Sequence, residues 1–277
     1  MAKDCSNTSC TRESCEGCPS KQQDFRAPMN GSSRVKHVIG VISGKSGVGK
    51  SSVTAMMAVK LRQLGYRVGI LDADITGPSI PRMFGVDQIP GLKGEEMLPA
   101  VTDTGIEIMS INLLMEDETQ PVIWRGPVLG TVIKQFWSEV VWGELDYLLV
   151  DMPPGTGDVA LTVFQSLPVE GVYLVTTPQS LVEMIVSKAY QMAEMMNIPV
   201  LGLVENFSYL NCPDCGKKIY PFGVSHNKEW AKSKQLPFVE ALPLDPAMPA
   251  FADRGKMEYY EAPVLTGLED TLPKDKV

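Results

Sequence analysis

The chain has no run of eighteen uncharged apolar residues, so the sequence offers no membrane-spanning helix. It also lacks a hydrophobic stretch near its N-terminus, which excludes a secretion signal there. The expected compartment is the cytosol, with no membrane partner. Positive charge is in deficit, with 25 Lys and Arg against 33 Asp and Glu and a net charge of −8 at pH 7. Sequence-independent binding of DNA or RNA needs cations that neutralise phosphates, so nucleic acid is not an expected partner. No internal repeat is visible.

Aliphatic residues are nearly missing from residues 1–34, which end in the loop-like Arg26-Ala-Pro-Met-Asn-Gly-Ser-Ser33. Such a segment buries too little apolar surface to fold alone, so metal binding is the expected means of ordering it. It carries Cys5, Cys10, Cys15 and Cys18, four of the chain's six cysteines. In a reducing compartment clustered cysteines are more often metal ligands or redox groups than disulfides. Four thiolates suit an iron–sulfur cluster or zinc, and free or transiently oxidised thiols are the remaining alternative. The chain therefore divides into a Cys-rich extension, 1–34, and one large domain, 35–277, and 44% apolar composition of its 277 residues supports a real core. The fifteen methionines read as core filler on helices.

From Val35 onward, short apolar strands alternate with helical patterns. Tyr66–Asp74, Ile106–Ile111, Tyr147–Asp151, Gly171–Thr176 and Val200–Glu205 read as buried strands, and Val128–Trp142, Val159–Ser166 and Ser180–Met196 as helices. This alternation predicts an α/β, doubly wound, mostly parallel sheet with chemistry at the carboxyl ends of its strands.

The first strand, beginning near Val38, passes into Gly44-Lys-Ser-Gly-Val-Gly-Lys-Ser51, which fits G-x-x-x-x-G-K-[ST] at every fixed position. A helical pattern from Ser52 to Leu64 follows. Strand, loop and helix in this order form a P-loop. The backbone N–H groups of Gly44, Lys45, Ser46, Gly47, Val48, Gly49, Lys50, Ser51 and Ser52 converge on an anion at a helix N-terminus. Lys50 is expected on the β- and γ-phosphates of ATP, and the Ser51 hydroxyl on Mg²⁺. Lys45 is an additional cation in the loop, costly to desolvate unless it meets an anion.

Asp72 and Asp74 leave the tip of the second predicted strand, where carboxylates beside a phosphate loop hold Mg²⁺ or position an attacking water; the alternative is a pair of turn-capping aspartates. Tyr147-Leu-Leu-Val-Asp151 has the form of a Walker B strand, with Asp151 directed at Mg²⁺ through water or Ser51. It continues as Met152-Pro-Pro-Gly-Thr-Gly-Asp158, stiff at one end and free at the other, as a loop sensing the γ-phosphate should be. Gly155 is expected to present its N–H to that phosphate, and Asp158 either serves the loop or caps the next helix.

Cys212-Pro-Asp-Cys215 offers two thiolates, too few for a four-coordinate metal or a [4Fe–4S] cluster. A two-fold dimer would supply the missing pair. The competing reading joins Cys15 and Cys18 to Cys212 and Cys215 in an intramolecular zinc site. His226 is either an additional ligand or a surface histidine.

Trp124-Arg-Gly-Pro127, Trp142-Gly-Glu-Leu-Asp-Tyr147, Asp151–Asp158 and Val204-Glu-Asn-Phe-Ser208 followed by Cys212-Pro-Asp-Cys215 resemble, in order, the motifs of the Mrp/ApbC family of iron–sulfur cluster carrier ATPases. The resemblance spans about residues 35–260, and the N-terminus resembles the extension of that family's longer branch. It implies a homodimer that bridges a labile [4Fe–4S] cluster between Cys212 and Cys215 of two chains and passes it to apo iron–sulfur client proteins. The loop resembles the deviant P-loop class, which includes the MinD and ParA ATPases. That likeness implies Lys45 on the partner's phosphates, Asp74 on the attacking water, Asp72 near the metal and Asn206 on the adenine base. The alternative function is a ParA/MinD-type regulatory or positioning ATPase with a structural zinc site. It would call for a basic patch or an amphipathic C-terminal helix, and the tail from Leu265 to Val277 has neither.

Overall fold

The computed structural model describes residues 26–74, 79–87, 91–94, 96–114, 126–179, 182–261 and 265–274. Cys5, Cys10, Cys15, Cys18, Trp124, Arg125 and the side chain of Asp158 lie outside the described residues. The elements run β1 (Arg34–Ser43), α1 (Lys50–Gln63), β2 (Val68–Asp72), α2 (Ile80–Met83), β3 (Leu92–Lys93), β4 (Glu96–Met97), β5 (Ala100–Val101) and β6 (Glu107–Ser110). They continue as α3 (Gly126–Ser138), β7 (Glu144–Asp151), α4 (Asp158–Ser166), β8 (Gly171–Thr176), α5 (Val182–Met195) and β9 (Val200–Asn211). The last are β10 (Lys218–Ile219), α6 (Asn227–Ser233), β11 (Phe238–Pro243), α7 (Ala247–Asp253) and α8 (Leu268–Thr271).

Nine strands make one sheet in the order β10-β9-β8-β1-β7-β2-β6-β5, with β11 also paired to β9. The pairings among β1, β2, β6, β7, β8, β9 and β11 are parallel, and only β5 and β10 run antiparallel to their neighbours. The mostly parallel α/β architecture predicted from the alternation is the one observed.

Burial on both faces follows from strand periodicity. In β1, Val38 and Ile42 pack into one core with Leu71, Leu148 and Val150, while Ile39 and Val41 pack into the other with Ile70 and Leu149. Residues of a strand point alternately to opposite faces, so a continuous apolar run is what a sheet covered by helices on both sides requires. β1 stands where the chain goes first toward β2 and β6 and later to the far side, toward β8 and β9. Ligands bind outside the carboxyl ends of strands at such a switch.

The largest differences from expectation are two element ends and one whole strand. The helix predicted over 128–142 ends at Ser138, because the Trp142 indole N–H takes the Phe136 carbonyl at 3.0 Å and the Val141 N–H donates to the Met97 carbonyl at 2.8 Å. β9 continues six residues beyond Glu205, to Asn211, because β10 and β11 give its outer half partners. β11 itself was not foreseen: Pro237 precedes it and Pro243 ends it, and prolines disfavour a strand, yet Phe238–Pro243 lies parallel to β9. Among the described residues, no helix is long and apolar enough to cross a membrane.

Candidate functional site

The loop between β1 and α1 is held from beneath. The Ser43 hydroxyl donates to the Lys45 carbonyl at 3.0 Å, and Gly49 takes φ +76° at the N-cap of α1. A Cβ on Gly49 would collide with the Asn206 amide and approach the Phe207 ring to 3.0 Å. At Gly44 a Cβ would come within 2.5 Å of the Ile185 carbonyl oxygen of α5. These glycines are therefore set by close approach as well as by backbone freedom. The cleft above them, about 350 Å³, is lined by Ser43, Lys45, Ser46, Gly47, Gly49, Lys50, Ser51, Ser52 and Asp74 among others, and is in the size range of small-molecule sites.

Asp151, fully buried at the end of β7, is the centre of a polar web. Its Oδ2 accepts from the Ser51 hydroxyl at 2.6 Å and lies 2.7 Å from the Lys50 ammonium, while its Oδ1 accepts from the Thr54 hydroxyl at 2.6 Å. Lys50 also lies 3.5 Å from Asp74 Oδ2. Parallel register puts Asp72 directly opposite Asp151 on one side and Ser110 on the other. Asp72 Oδ1 accepts the Asp74 N–H at 3.2 Å, and its Oδ2 accepts the Ser110 hydroxyl at 3.2 Å. Burial, with the charge of Asp151 beside it, pushes the Asp72 carboxyl well above the usual carboxylate range. Three carboxylates thus face one buried lysine, a surplus of negative charge that a divalent cation would neutralise. Oxygen donors from Ser51, Asp72, Asp74 and Asp151 are the kind such a hard cation takes.

Lys45 donates to Gln179 Oε1 at 3.0 Å, in the segment after β8. Asn206, buried in β9, donates its amide to the Val48 carbonyl at 3.0 Å and so fastens the loop to the sheet. With Met56, Phe207, Pro243, Leu244, Asp245 and Tyr260 it lines a second, mostly apolar crevice. Gly155 departs from expectation: its N–H donates to the Ser43 carbonyl at 2.9 Å, so it ties the loop after β7 to β1.

The thiol pair sits on an arm. β10 pairs antiparallel with the outer end of β9, placing Asn211 opposite Lys218, and Cys212–Lys217 form the connecting loop. It is closed by the Cys212 N–H on the Lys217 carbonyl at 2.9 Å and the Gly216 N–H on the Cys212 carbonyl at 2.9 Å. Cys212 is half-buried and Cys215 exposed, and both are free thiols. Backbone N–H groups of Cys215 and Asp214, with the Cys215 side chain, hold the Cys212 thiol below its usual range, favouring the thiolate that binds soft metals. Among the described residues no group of three or more His, Cys, Asp or Glu could hold a metal ion unaided, so the carboxylates of Asp72, Asp74 and Asp151 do not by themselves make a cation cage and no further protein ligand stands beside the thiols; His226 is exposed at the N-cap of α6.

The fold thus brings Lys50, Ser51, Asp72, Asp74 and Asp151 together and puts Cys212 and Cys215 on an arm that continues the strand holding Asn206. Sequence reasoning missed Thr54 and Ser110. Thr54 was legible in one respect, since it stands four residues after Lys50 and three after Ser51, on the same helical face.

Residues 34–270 match the profile of the family described as ParA: NUBPL iron-transfer P-loop NTPase. The chain is 44% identical over 270 residues to an iron-sulfur cluster carrier protein of Clostridium perfringens, covering 90% of this chain and 95% of that one. It is 45% identical over 254 residues to an iron-sulfur cluster carrier protein of Methanocaldococcus jannaschii, covering 87% of each. Its structure resembles that of a nucleotide-binding protein from Archaeoglobus fulgidus in complex with ADP, with a TM-score of 0.76, 40% identity, and coverage of 87% of this chain and 93% of that one.

Proposed function

Because the chain belongs to the NUBPL iron-transfer P-loop NTPase family, we propose that it is an ATP-dependent iron–sulfur cluster carrier of the cytosol. In this reading, two copies hold a labile [4Fe–4S] cluster between them and deliver it to apo-proteins. One observation carries the proposal: Cys212 and Cys215, half of a four-thiolate ligand set, stand at the tip of the same strand whose inner part grips the phosphate loop through Asn206. The names of the relatives and the ADP complex of the structural neighbour support it.

A triphosphate entering the loop meets the N–H groups of Gly44–Ser52 and competes with Asp151 and Asp74 for Lys50. Ser51 and Asp151, with Asp72 behind them, would hold Mg²⁺, which when bound neutralises phosphate charge. Asn206 contacts the base. Asp74 accepts a hydrogen bond from the attacking water and aims its oxygen at the γ-phosphorus. The new O–P bond forms as the bond to the bridging oxygen of ADP breaks, and inorganic phosphate leaves. Lys45 of each copy reaches the phosphates held by the other, so ATP favours the dimer, and the dimer completes the cluster's ligand set. Nucleotide alters cluster retention only as far as its affinity differs between the dimer's arrangements. Cys5, Cys10, Cys15 and Cys18 form a second thiolate segment for a further cluster.

Anaerobic reconstitution tests this. The full-length protein should turn brown, and Cys215→Ala should lose about one cluster per dimer by iron and acid-labile sulfide analysis while still binding ATP. A protein that stays colourless, or remains monomeric with both ATP and cluster precursors present, overturns the reading.

A further inference from the structure

Glu205 lies outside both the phosphate web and the thiol pair, yet it sits between them. It stands opposite Thr176 of β8 and Ala241 of β11, and its carboxylate is buried, with the residue 2% exposed. Three uncharged donors satisfy it. Oε1 accepts from the Ser208 hydroxyl at 2.6 Å, and Oε2 accepts from the Asn227 amide at 2.6 Å and from the Ser225 hydroxyl. The Asn227 side chain also donates to the Thr177 carbonyl at 3.0 Å, and its backbone N–H to Ser225 Oγ at 3.0 Å.

These partners define a geometry. Ser208 is where the chain leaves toward Cys212, and Ser225 and Asn227 are where it comes back from the cysteine loop. One carboxylate therefore ties both feet of the arm to each other and, through Asn227, to the end of β8. A buried carboxylate is costly unless its lone pairs are met, so the clamp is held at both oxygens or it fails.

The next residue faces the other way. Successive side chains of a strand point to opposite faces, and Asn206 holds the Val48 carbonyl of the phosphate loop at 3.0 Å. Immediately after it, Phe207 takes φ +56°, a conformation disfavoured for a bulky side chain, and the pairing of β9 with β11 shifts register between Ala241 and Pro243. Four consecutive residues thus hold, in order, the arm, the nucleotide loop, a left-handed kink and the arm again.

We propose that Glu205 is the positioning residue for the cluster: it sets the angle of the cysteine arm, and Glu205–Ser208 is the joint through which nucleotide at the Val48 loop changes cluster retention. The proposal rests on the carrier reading. A displacement of Val48 acts on Asn206, and because Glu205 is clamped to the arm's feet, β9 passes that displacement to Cys212 and Cys215 as a rotation of the arm. Coupling of this kind is reciprocal, so a cluster on the thiols alters nucleotide affinity by the same factor.

The test uses the full-length protein reconstituted anaerobically. A ferrous chelator strips the cluster, visible absorbance reports the rate, and the measurement is repeated with a non-hydrolysable ATP analogue and Mg²⁺. In Glu205→Ala stripping without nucleotide should be faster by about tenfold, mid-range for coupling between sites, and the nucleotide effect should vanish. Analogue affinity of the cluster-free protein should stay within about twofold, which a general loss of structure would not allow. Glu205→Gln, which keeps one acceptor oxygen, should fall between. Should Glu205→Ala misfold by circular dichroism, Ser208→Ala and Ser225→Ala each remove one donor and must still shrink the nucleotide effect. Wild-type stripping rates and a wild-type nucleotide effect in the Ala variants overturn the inference and leave the carrier reading standing, as does a wild type whose stripping ignores nucleotide. A wild type that takes up no cluster overturns both.

Discussion

Replacing Thr54 by Val tests whether the web around Asp151 is held by directed hydrogen bonds or only by packing. Thr54 is fully buried, and its hydroxyl donates to Asp151 Oδ1 at 2.6 Å while lying 3.1 Å from the Lys50 carbonyl. Valine has nearly the same shape, so the change removes the donor and little else. A hydrogen bond to a charged partner contributes about 1.5–3 kcal/mol, and Asp151 keeps Ser51 and Lys50 on its other oxygen, so the expected loss is about 2 kcal/mol. At an m-value of about 3 kcal/mol/M, that moves the urea midpoint down by about 0.7 M with no change in slope. Thr54→Ser keeps the hydroxyl and loses one buried methyl, about 0.8 kcal/mol. In an Asp151→Asn background the acceptor is neutral, and Thr54→Val should cost only about 1 kcal/mol. Equal cost in both backgrounds, or a valine variant no less stable than the serine one, would refute the web and leave Thr54 as mere filling.

Two further outcomes follow. Glu107 of β6 has its Oε2 buried without a hydrogen-bond partner, and burial pushes its carboxyl up to about 7. A raised carboxyl contributes stability that is complete below its ordinary value and is lost as pH rises through about 7. Glu107→Gln should therefore gain stability relative to wild type as pH rises from about 4.5 to about 7 and hold that gain above it, by about 1–2 kcal/mol after discounting for partial exposure, and a pH-independent offset in thermal melts would contradict this. Lys45→Ala removes a bond to Gln179 on the surface, so the monomer should melt within about 2 °C of wild type while ATP-dependent dimerisation, followed by light scattering, is lost. An intact ATP-dependent dimer would reassign the lysine.

The parallel sheet and the phosphate loop were legible in the sequence because each depends on short-range information. Apolar runs of four to seven residues bounded by turns, and glycine and lysine at fixed spacing, need no distant partner to be read. Asp72, Asp74 and Asp151 were legible for the same reason, standing at the ends of such runs. What escaped was set by partners far along the chain. Thr54 matters only because Asp151, 97 residues away, folds against it, and the Asn206 amide meets a carbonyl 158 residues away. The Gly155 N–H looked available for phosphate because nothing local takes it, whereas the carbonyl that does belongs to Ser43 on another strand. β11 was hidden by its prolines, which the edge of the sheet tolerates. Glu205 read as the last residue of a strand, and its bonds to Ser225 and Asn227 arise only once the intervening loop has turned back.

The opposition of Asp72 to Asp151 across two parallel strands has a consequence for how this chain tolerates insertions and deletions. Their spacing is dictated by the ladder between β2 and β7, not by the loops that follow. Lengthening or trimming those loops leaves the pair where it is. Removing one residue from Val68–Leu71 instead inverts every side chain from the deletion to one end of the strand, turning either the carboxylate or the apolar set to the wrong face. The acid pair is thus written in hydrogen-bond register, and indels there should be far less tolerated than point substitutions at the same positions.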